Sequence, residues 1–395
     1  MNKRFRELAI IAALSVGLLV LAEAALRLWR VTRGQPATTR VERFYGEMRQ
    51  ALGLYRAHPF TNTAARRGAS VFAFARRVSF NSSGYRSPER DFAKKPGGRR
   101  VLCAGGSTTF DIGAADDAAT WPALLESGLG SGVEVWNAGF PGWTSAENLI
   151  SFALRDGDLQ PDVVVLYQGI NDLQPAAHVP FDREYDAGHA GESRLALGLG
   201  LPEIGWSERS LLLESARRLL GQEQDPWQRL KLPSEGERLA VLPAAAVVTF
   251  RRNVRSLIAL ARERGSRVLL VTQSFRLRQA SLEADRDYLA GWLQGLEPDA
   301  APAELERLSA ELRQEAGASG AGVRGADVAV ADAARDIAWE DADFVDPMHT
   351  SAAGSRKLAD YLTPRVAALL AVKILSAPER KTDSPVFSQQ PPQQP

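Results

Sequence analysis

One cysteine and four histidines are all that the 395-residue chain offers for thiol and imidazole chemistry. A single thiol excludes an intramolecular disulfide and any cysteine-based metal cluster. Cys103 falls inside the apolar run Val101, Leu102, Cys103, Ala104, where it reads as a core filler. The lack of disulfides fits either side of a membrane, because oxidising compartments permit bridges without demanding them. Charge of one sign is also missing: 48 Lys plus Arg stand against 47 Asp plus Glu, so no global field favours nucleic acid. No His-x-x-x-His or similar ligand spacing occurs, so no metal is expected.

What remains is ordinary globular material, 45% hydrophobic and 24% charged, enough for one sizeable core. The first 30 residues differ from the rest. Lys3, Arg4 and Arg6 precede an uncharged apolar stretch from Leu8 to Ala22, followed by Glu23, Arg27, Trp29 and Arg30. Such a segment is a secretory h-region or a single membrane anchor. The triplet Ala22-Glu23-Ala24 suits cleavage, whereas Ala24, Ala25, Leu26 and Leu28 prolong the apolar helix and suit retention. A retained anchor over 1–30 is expected, its domain facing the extracytoplasmic (periplasmic) side, although Arg27, Arg30 and Arg33 blunt the positive-inside signal.

Residues 31–98 are basic, weakly periodic and end in turn-rich sequence, and read as a juxtamembrane spacer ordered only near its end. From residue 99 short apolar runs alternate with helical stretches. The runs are Arg100 to Ala104, Val133 to Asn137, Val163 to Tyr167, Arg267 to Thr272 and Ala326 to Val330. The helical stretches lie near Trp121 to Ser127, Ser145 to Asp156, Ala246 to Arg264, Ala303 to Glu315 and Ser351 to Val372. This alternation predicts an α/β fold, a doubly wound parallel sheet covered on both faces, over 99–375. Residues 174–245 interrupt it, with a Gly-rich part and an amphipathic helix near Ser210 to Leu220, as a lid or a passive surface excursion. The Pro-, Gln- and Ser-rich end, 376–395, reads as a disordered tail.

Loops at the carboxyl ends of such strands converge on one edge, where ligands bind. After the first strand comes Gly105-Gly106-Ser107-Thr108, a sharp turn that presents a serine near a helix start. That turn lacks the lysine of a phosphate-binding loop and the full Gly-x-Gly-x-x-Gly pattern, which argues against a nucleotide. After the second strand Gly139 offers a bare backbone N–H, and after the third Asn171 offers a side-chain donor. Taken singly these are equally a turn glycine and a helix cap. Before the last helix stands Asp346-Pro347-Met348-His349, a carboxylate placed to orient an imidazole that can take a proton from a serine. His58 sits in the spacer and His178 and His189 in the insertion, where solvated or capping roles suit them better.

Gly105-Gly106-Ser107-Thr108, Asn137-Ala138-Gly139, Gly169-Ile170-Asn171-Asp172 and Asp346-Pro347-Met348-His349 together resemble the four ordered blocks of the SGNH (GDSL-type) hydrolases, over roughly residues 99–373. Gly106 stands where the Gly-Asp-Ser-Leu form has aspartate, as in membrane-anchored bacterial members. Asn81-Ser82-Ser83-Gly84-Tyr85-Arg86 is similar to the segment leading into the sheet in those members. The resemblance implies a three-layer, flavodoxin-like sheet without a cofactor. It also implies Ser107 as nucleophile, His349 as base, Asp346 as orienting acid, and Ser107 N–H, Gly139 N–H and the Asn171 side chain as oxyanion donors. The expected activity is hydrolysis of a carboxylic ester, with a small-molecule, lipid or envelope-glycan ester as substrate, through an acyl-serine intermediate. An O-acyltransferase using the same triad and a catalytically silent glycan-binding module remain the alternatives.

Overall fold

Side chains of the apolar runs alternate between two faces, and each face finds its own helices. In the computed structural model, which describes residues 3–185, 201–223, 226, 237–276, 283–293, 295–318 and 327–371, five such runs form one parallel sheet. Helix α1 (Lys3–Thr32) and helix α2 (Arg40–Leu52) come first, then strands β1 (Tyr55–His58), β2 (Asn62–Ala65), β3 (Ser70–Ala73) and β4 (Arg76–Ser79). The sheet strands follow as β5 (Arg99–Gly105), β6 (Val133–Asn137), β7 (Val163–Tyr167), β8 (Arg267–Val271) and β9 (Val328–Ala331). Their spatial order is β6-β5-β7-β8-β9, the flavodoxin-like order with its switch point at β5.

Leu102, Ala104, Trp136, Val164, Leu166, Val268 and Leu270 point to one face and pack with the helices Ala244–Glu263 and Ala301–Ala318. Val101, Cys103, Val135, Val163, Val165, Leu269 and Val271 point to the other, against helix α4 (Trp121–Leu129) and helix Ala352–Ala371. This is the three-layer arrangement the alternation predicts. Cys103 is fully buried, and burial pushes its thiol well above the ordinary range. The last strand begins two residues later than its expected start at Ala326, which lies outside the described residues, as does 376–395.

The stretch read as a spacer is folded from residue 40 onward. Helix α2 starts in a capping box, Thr39 accepting from the Glu42 N–H and Glu42 from the Thr39 N–H. Two antiparallel hairpins, β1–β2 and β3–β4, follow. Leu54, Ala65 and Phe80 there pack on Phe110, Phe140 and Trp143 of the sheet's own loops. These strands are four residues long; β1 and β4 carry Arg56, Arg76 and Arg77, β2 is Asn-Thr-Ala-Ala, and the longest apolar stretch is Val71-Phe72-Ala73 of β3, too short to signal a strand. The β3–β4 turn is made by Phe74 and Ala75 at φ 52° and 56°, residues that do not signal a left-handed turn.

Helix α1 is long and apolar enough to cross a membrane, with mean hydropathy 2.4 over its most apolar window, a property it shares with secretion signals. Its last turns are joined to the domain. Glu23 accepts from Ser210 Oγ and the N–H groups of Leu211 and Leu212 at 2.9, 3.0 and 3.0 Å, capping the helix Leu211–Leu219. Arg27 donates to the Ala37 carbonyl at 2.8 Å. The insertion begins as core, with Ala176 and Ala177 buried among the sheet's apolar residues beside Leu173. Part of its Gly-rich sequence lies outside the described residues.

Candidate active site

β5 ends at Gly105, and the chain turns at once into a single helical turn, α3 (Ser107–Phe110). A Cβ on Gly105 would lie 2.1 Å from Thr109 Oγ1 and 2.3 Å from the Tyr167 carbonyl, so the turn is tight enough to require glycine. Ser107 is the first residue of that turn, and its N–H belongs to the amides that have no intrahelical acceptor. Its Oγ lies 2.7 Å from His349 Nε2.

His349 comes from the other end of the chain, on the loop before helix Ala352–Ala371. Asp346 Oδ2 lies 2.7 Å from His349 Nδ1, while Oδ1 accepts from the Met348 and His349 N–H groups at 3.0 and 2.9 Å. The carboxylate therefore both shapes its own loop and fixes the ring. With Nδ1 turned to a carboxylate, Nε2 of the neutral ring is the acceptor facing the serine. Burial acts to raise the Asp346 carboxyl, but His349 and the two backbone N–H donors outweigh it and hold the group below the usual range. Ser107 and His349 are 8% and 7% exposed, buried enough to strengthen their mutual bond yet open to a small reactant.

Asn171 lies beyond Gly169 at the end of β7. Its Nδ2 donates to the Trp143 carbonyl at 2.8 Å, and the site that a Cβ on Gly106 would occupy is only 2.2 Å from that nitrogen. One Nδ2 hydrogen is thus anchored and the other is free of that bond, beside Gly106, the residue before Ser107. Gly139 follows β6 and makes a bond of its own. Its N–H donates to Asn137 Oδ1 at 3.0 Å, and its Cα is pressed so close to α3 that a Cβ would meet Phe110 N at 2.2 Å. The glycine is required by that close approach; as a donor it is already engaged.

Several supporting residues escaped the reading of the sequence. Asp111, left-handed at φ 63°, ends α3 and accepts from Trp121 N–H at 2.7 Å, Ser355 Oγ at 3.0 Å and Thr350 Oγ1 at 3.3 Å. It ties the serine's turn to the residue after His349, and burial lifts its carboxyl to about 6. Gln273, just after β8, accepts from Ile170 N–H at 2.5 Å and donates to Thr108 Oγ1 at 2.6 Å, joining the neighbours of Asn171 and Ser107. The strand-end rule applied to the fourth strand would have found it. Arg86, buried at 2% exposure, donates to the Phe110 and Asp111 carbonyls at 2.9 and 3.0 Å and to Asp117 at 2.8 Å. This gives the Asn81–Arg86 segment a role as a clamp on the end of α3. Asp172, fully buried, accepts from the Ser145 N–H and from Gln168 Nε2; burial lifts its carboxyl to about 7 against those donors. His58 and His178 lie in the hairpin and the insertion, away from Ser107's bonding partners, and His189 is outside the described residues. No cluster of metal-ligating side chains occurs among the described residues.

Several solved structures are similar to the chain at low identity. A lipase/acylhydrolase from Enterococcus faecalis is 16% identical, with TM-score 0.39, covering 68% of this chain and 95% of that one. A carbohydrate acetylesterase family member from Sinorhizobium meliloti is 15% identical, with TM-score 0.40 and coverage of 69% and 100%. The aryl esterase of M. smegmatis is 13% identical, with TM-score 0.39 and coverage of 69% and 99%. No curated protein matches the chain. The model of the GDSL-like lipase/acylhydrolase family matches residues 103–357, more than half of the chain, so the protein belongs to that family and is an ester hydrolase.

Proposed function

We propose that this ester hydrolase works by covalent serine catalysis, with Ser107, His349 and Asp346 as triad, on an acyl or O-acetyl ester of a cell-envelope glycan or lipid. The observation that carries the reading is His349 held between Ser107 Oγ and Asp346 Oδ2 at 2.7 Å on each side. As Ser107 Oγ attacks the ester carbonyl carbon, its proton passes to His349 Nε2. The carbonyl oxygen becomes an oxyanion, which the Ser107 N–H and the second Nδ2 hydrogen of Asn171 stabilise. The Gly139 N–H joins them only if it leaves Asn137. The bond to the alcohol oxygen then breaks, and that oxygen takes the proton from His349. Water repeats the sequence on the acyl-serine, releasing the acid and restoring Ser107. Asp346 keeps the ring oriented and supports its transient charge.

Helix α1 is proposed as a retained anchor with the catalytic domain outside the cytoplasm. The support is Glu23, which caps the helix Leu211–Leu219 and which cleavage after Ala24 removes. Hydrolysis of a small neutral aryl acetate tests the catalytic reading. Wild type turns it over, while Ser107→Ala falls by at least about a thousandfold, on the order of 4 kcal/mol of barrier. Hydrolysis by Ser107→Ala at the wild-type rate sinks it.

A further inference from the structure

The basic stretch ahead of the sheet takes no part in the triad, yet the fold gathers its charge in one place. Hairpin β1–β2 stands against the C-terminal half of helix α5 (Ser145–Leu154). Between them is a cavity of about 200 Å3, walled by Arg56, His58, Thr61, Arg67, Trp143 and Arg155. Gly84 of the Asn81–Arg86 segment closes one side.

The charges are unevenly compensated. Arg155 is paired with Asp156 at 2.7 Å and lies over the Tyr85 ring at 4.4 Å. Arg56 and Arg67 are exposed and have no ion-pair partner among the described residues. His58 Nδ1 accepts from the Thr61 N–H at 3.2 Å and sits 2.9 Å from Thr61 Oγ1, which leaves Nε2 to carry the proton of the neutral ring. Burial first, then the charges of Arg56 and Arg155, hold that ring below its usual range. Two guanidinium forks and a ring N–H thus surround a small cavity with charge left over.

We propose that this cavity binds a phosphate monoester at a site separate from Ser107. Its charge of about −1.5 to −2 near neutral pH matches the two uncompensated arginines. Its three terminal oxygens match forked guanidinium donors, which recognise phosphate bidentately. A soluble phosphate and the headgroup of phosphatidic acid share that chemistry, and the second source is within reach of a domain tethered to a bilayer.

The test uses full-length protein in phosphatidylcholine nanodiscs, labelled with 13C at the histidine ring; four histidines make the spectrum sparse, and His58→Gln assigns the signal. Inorganic phosphate is expected to shift the His58 resonance saturably at millimolar concentration, beyond a chloride control of equal ionic strength. The Arg56→Gln/Arg67→Gln variant should raise the half-saturation point at least about tenfold. Nanodiscs containing phosphatidic acid supply the second arm. A shift there without added phosphate assigns the lipid headgroup, and a shift with inorganic phosphate alone assigns a soluble ligand. No shift in either arm, or a double variant titrating like wild type, overturns the proposal. Neither arginine touches Ser107, His349 or Asn171, so the double variant keeps wild-type hydrolysis of a small neutral ester. Loss of that activity contradicts a separate site, and a failed esterase assay in wild type leaves the resonance shift readable.

Discussion

Gly106 occupies the position of the aspartate in the Gly-Asp-Ser-Leu form, and its missing side chain leaves room for Asn171. Its φ is −87°, ordinary for any residue, so the constraint is space and not backbone strain. A Cβ there would lie 2.2 Å from Asn171 Nδ2 and 3.2 Å from the Trp143 carbonyl that anchors it. Gly106→Ala should therefore act through Asn171, lowering turnover on the order of a hundredfold with little change in KM, as Asn171→Ala should. The double variant should be hardly worse than either, because both remove one donor. Additive losses in steady-state kinetics would refute that coupling. Asp172 makes a different forecast. Its folded pKa of about 7 lies above the unfolded value of about 4, so its stabilisation is complete below about pH 4 and is lost as pH rises to about 7. Asp346 has the opposite sign, stabilising above its unfolded pKa and losing that contribution only in acid. Denaturant melts of Asp172→Asn across pH 4 to 7 should show a flatter dependence than wild type. An unchanged slope means that the buried carboxyl is ionised throughout.

Among the elements, those whose residues carry their own periodicity were legible, and those whose shape depends on contacts were not. β5, β7 and β8 are runs buried on both faces, so every residue is apolar or caps a strand end, and their places could be read directly. The loops after β5 and β7 followed from the strand-end rule, which brings Ser107 and Asn171 to one edge, where His349 joins Ser107 from the loop before the last helix. The hairpins over 55–79 escaped because their strands are only four residues long, each with an exposed position, and their shared core lies in residues up to 80 positions away, such as Trp143. The engagement of the Gly139 N–H was invisible for the same reason, since it depends on the rotamer of Asn137. Helix α1 is the element on which sequence and structure bear differently. Composition leaves cleavage and retention open, but the capping of Leu211–Leu219 by Glu23 makes removal costly, about 1 kcal/mol for the cap alone. Purified protein should carry an intact N-terminus and partition with membranes. Mass spectrometry placing the mature N-terminus at Ala25 would contradict retention.

On the scale of the whole molecule, the parallel sheet converts positions far apart in the chain into one site. Ser107 and His349 are separated by 242 residues, yet each sits at the carboxyl edge beside the switch point of the β6-β5-β7-β8-β9 order. Arg86 and Asp111 bind the folded N-terminal region and the last helix to the same turn, so the first and last quarters of the chain share its support. The central claim is that this convergence activates Ser107. A fluorophosphonate probe reads activation without knowledge of the natural ester, since it reacts only with a serine whose proton has somewhere to go. Peptide mapping after treatment should find the adduct on Ser107 in wild type and in Asn171→Ala, more slowly in the latter, and should find it sharply reduced in His349→Ala. An unlabelled Ser107 in folded wild-type protein, or an adduct on another serine, would contradict the account.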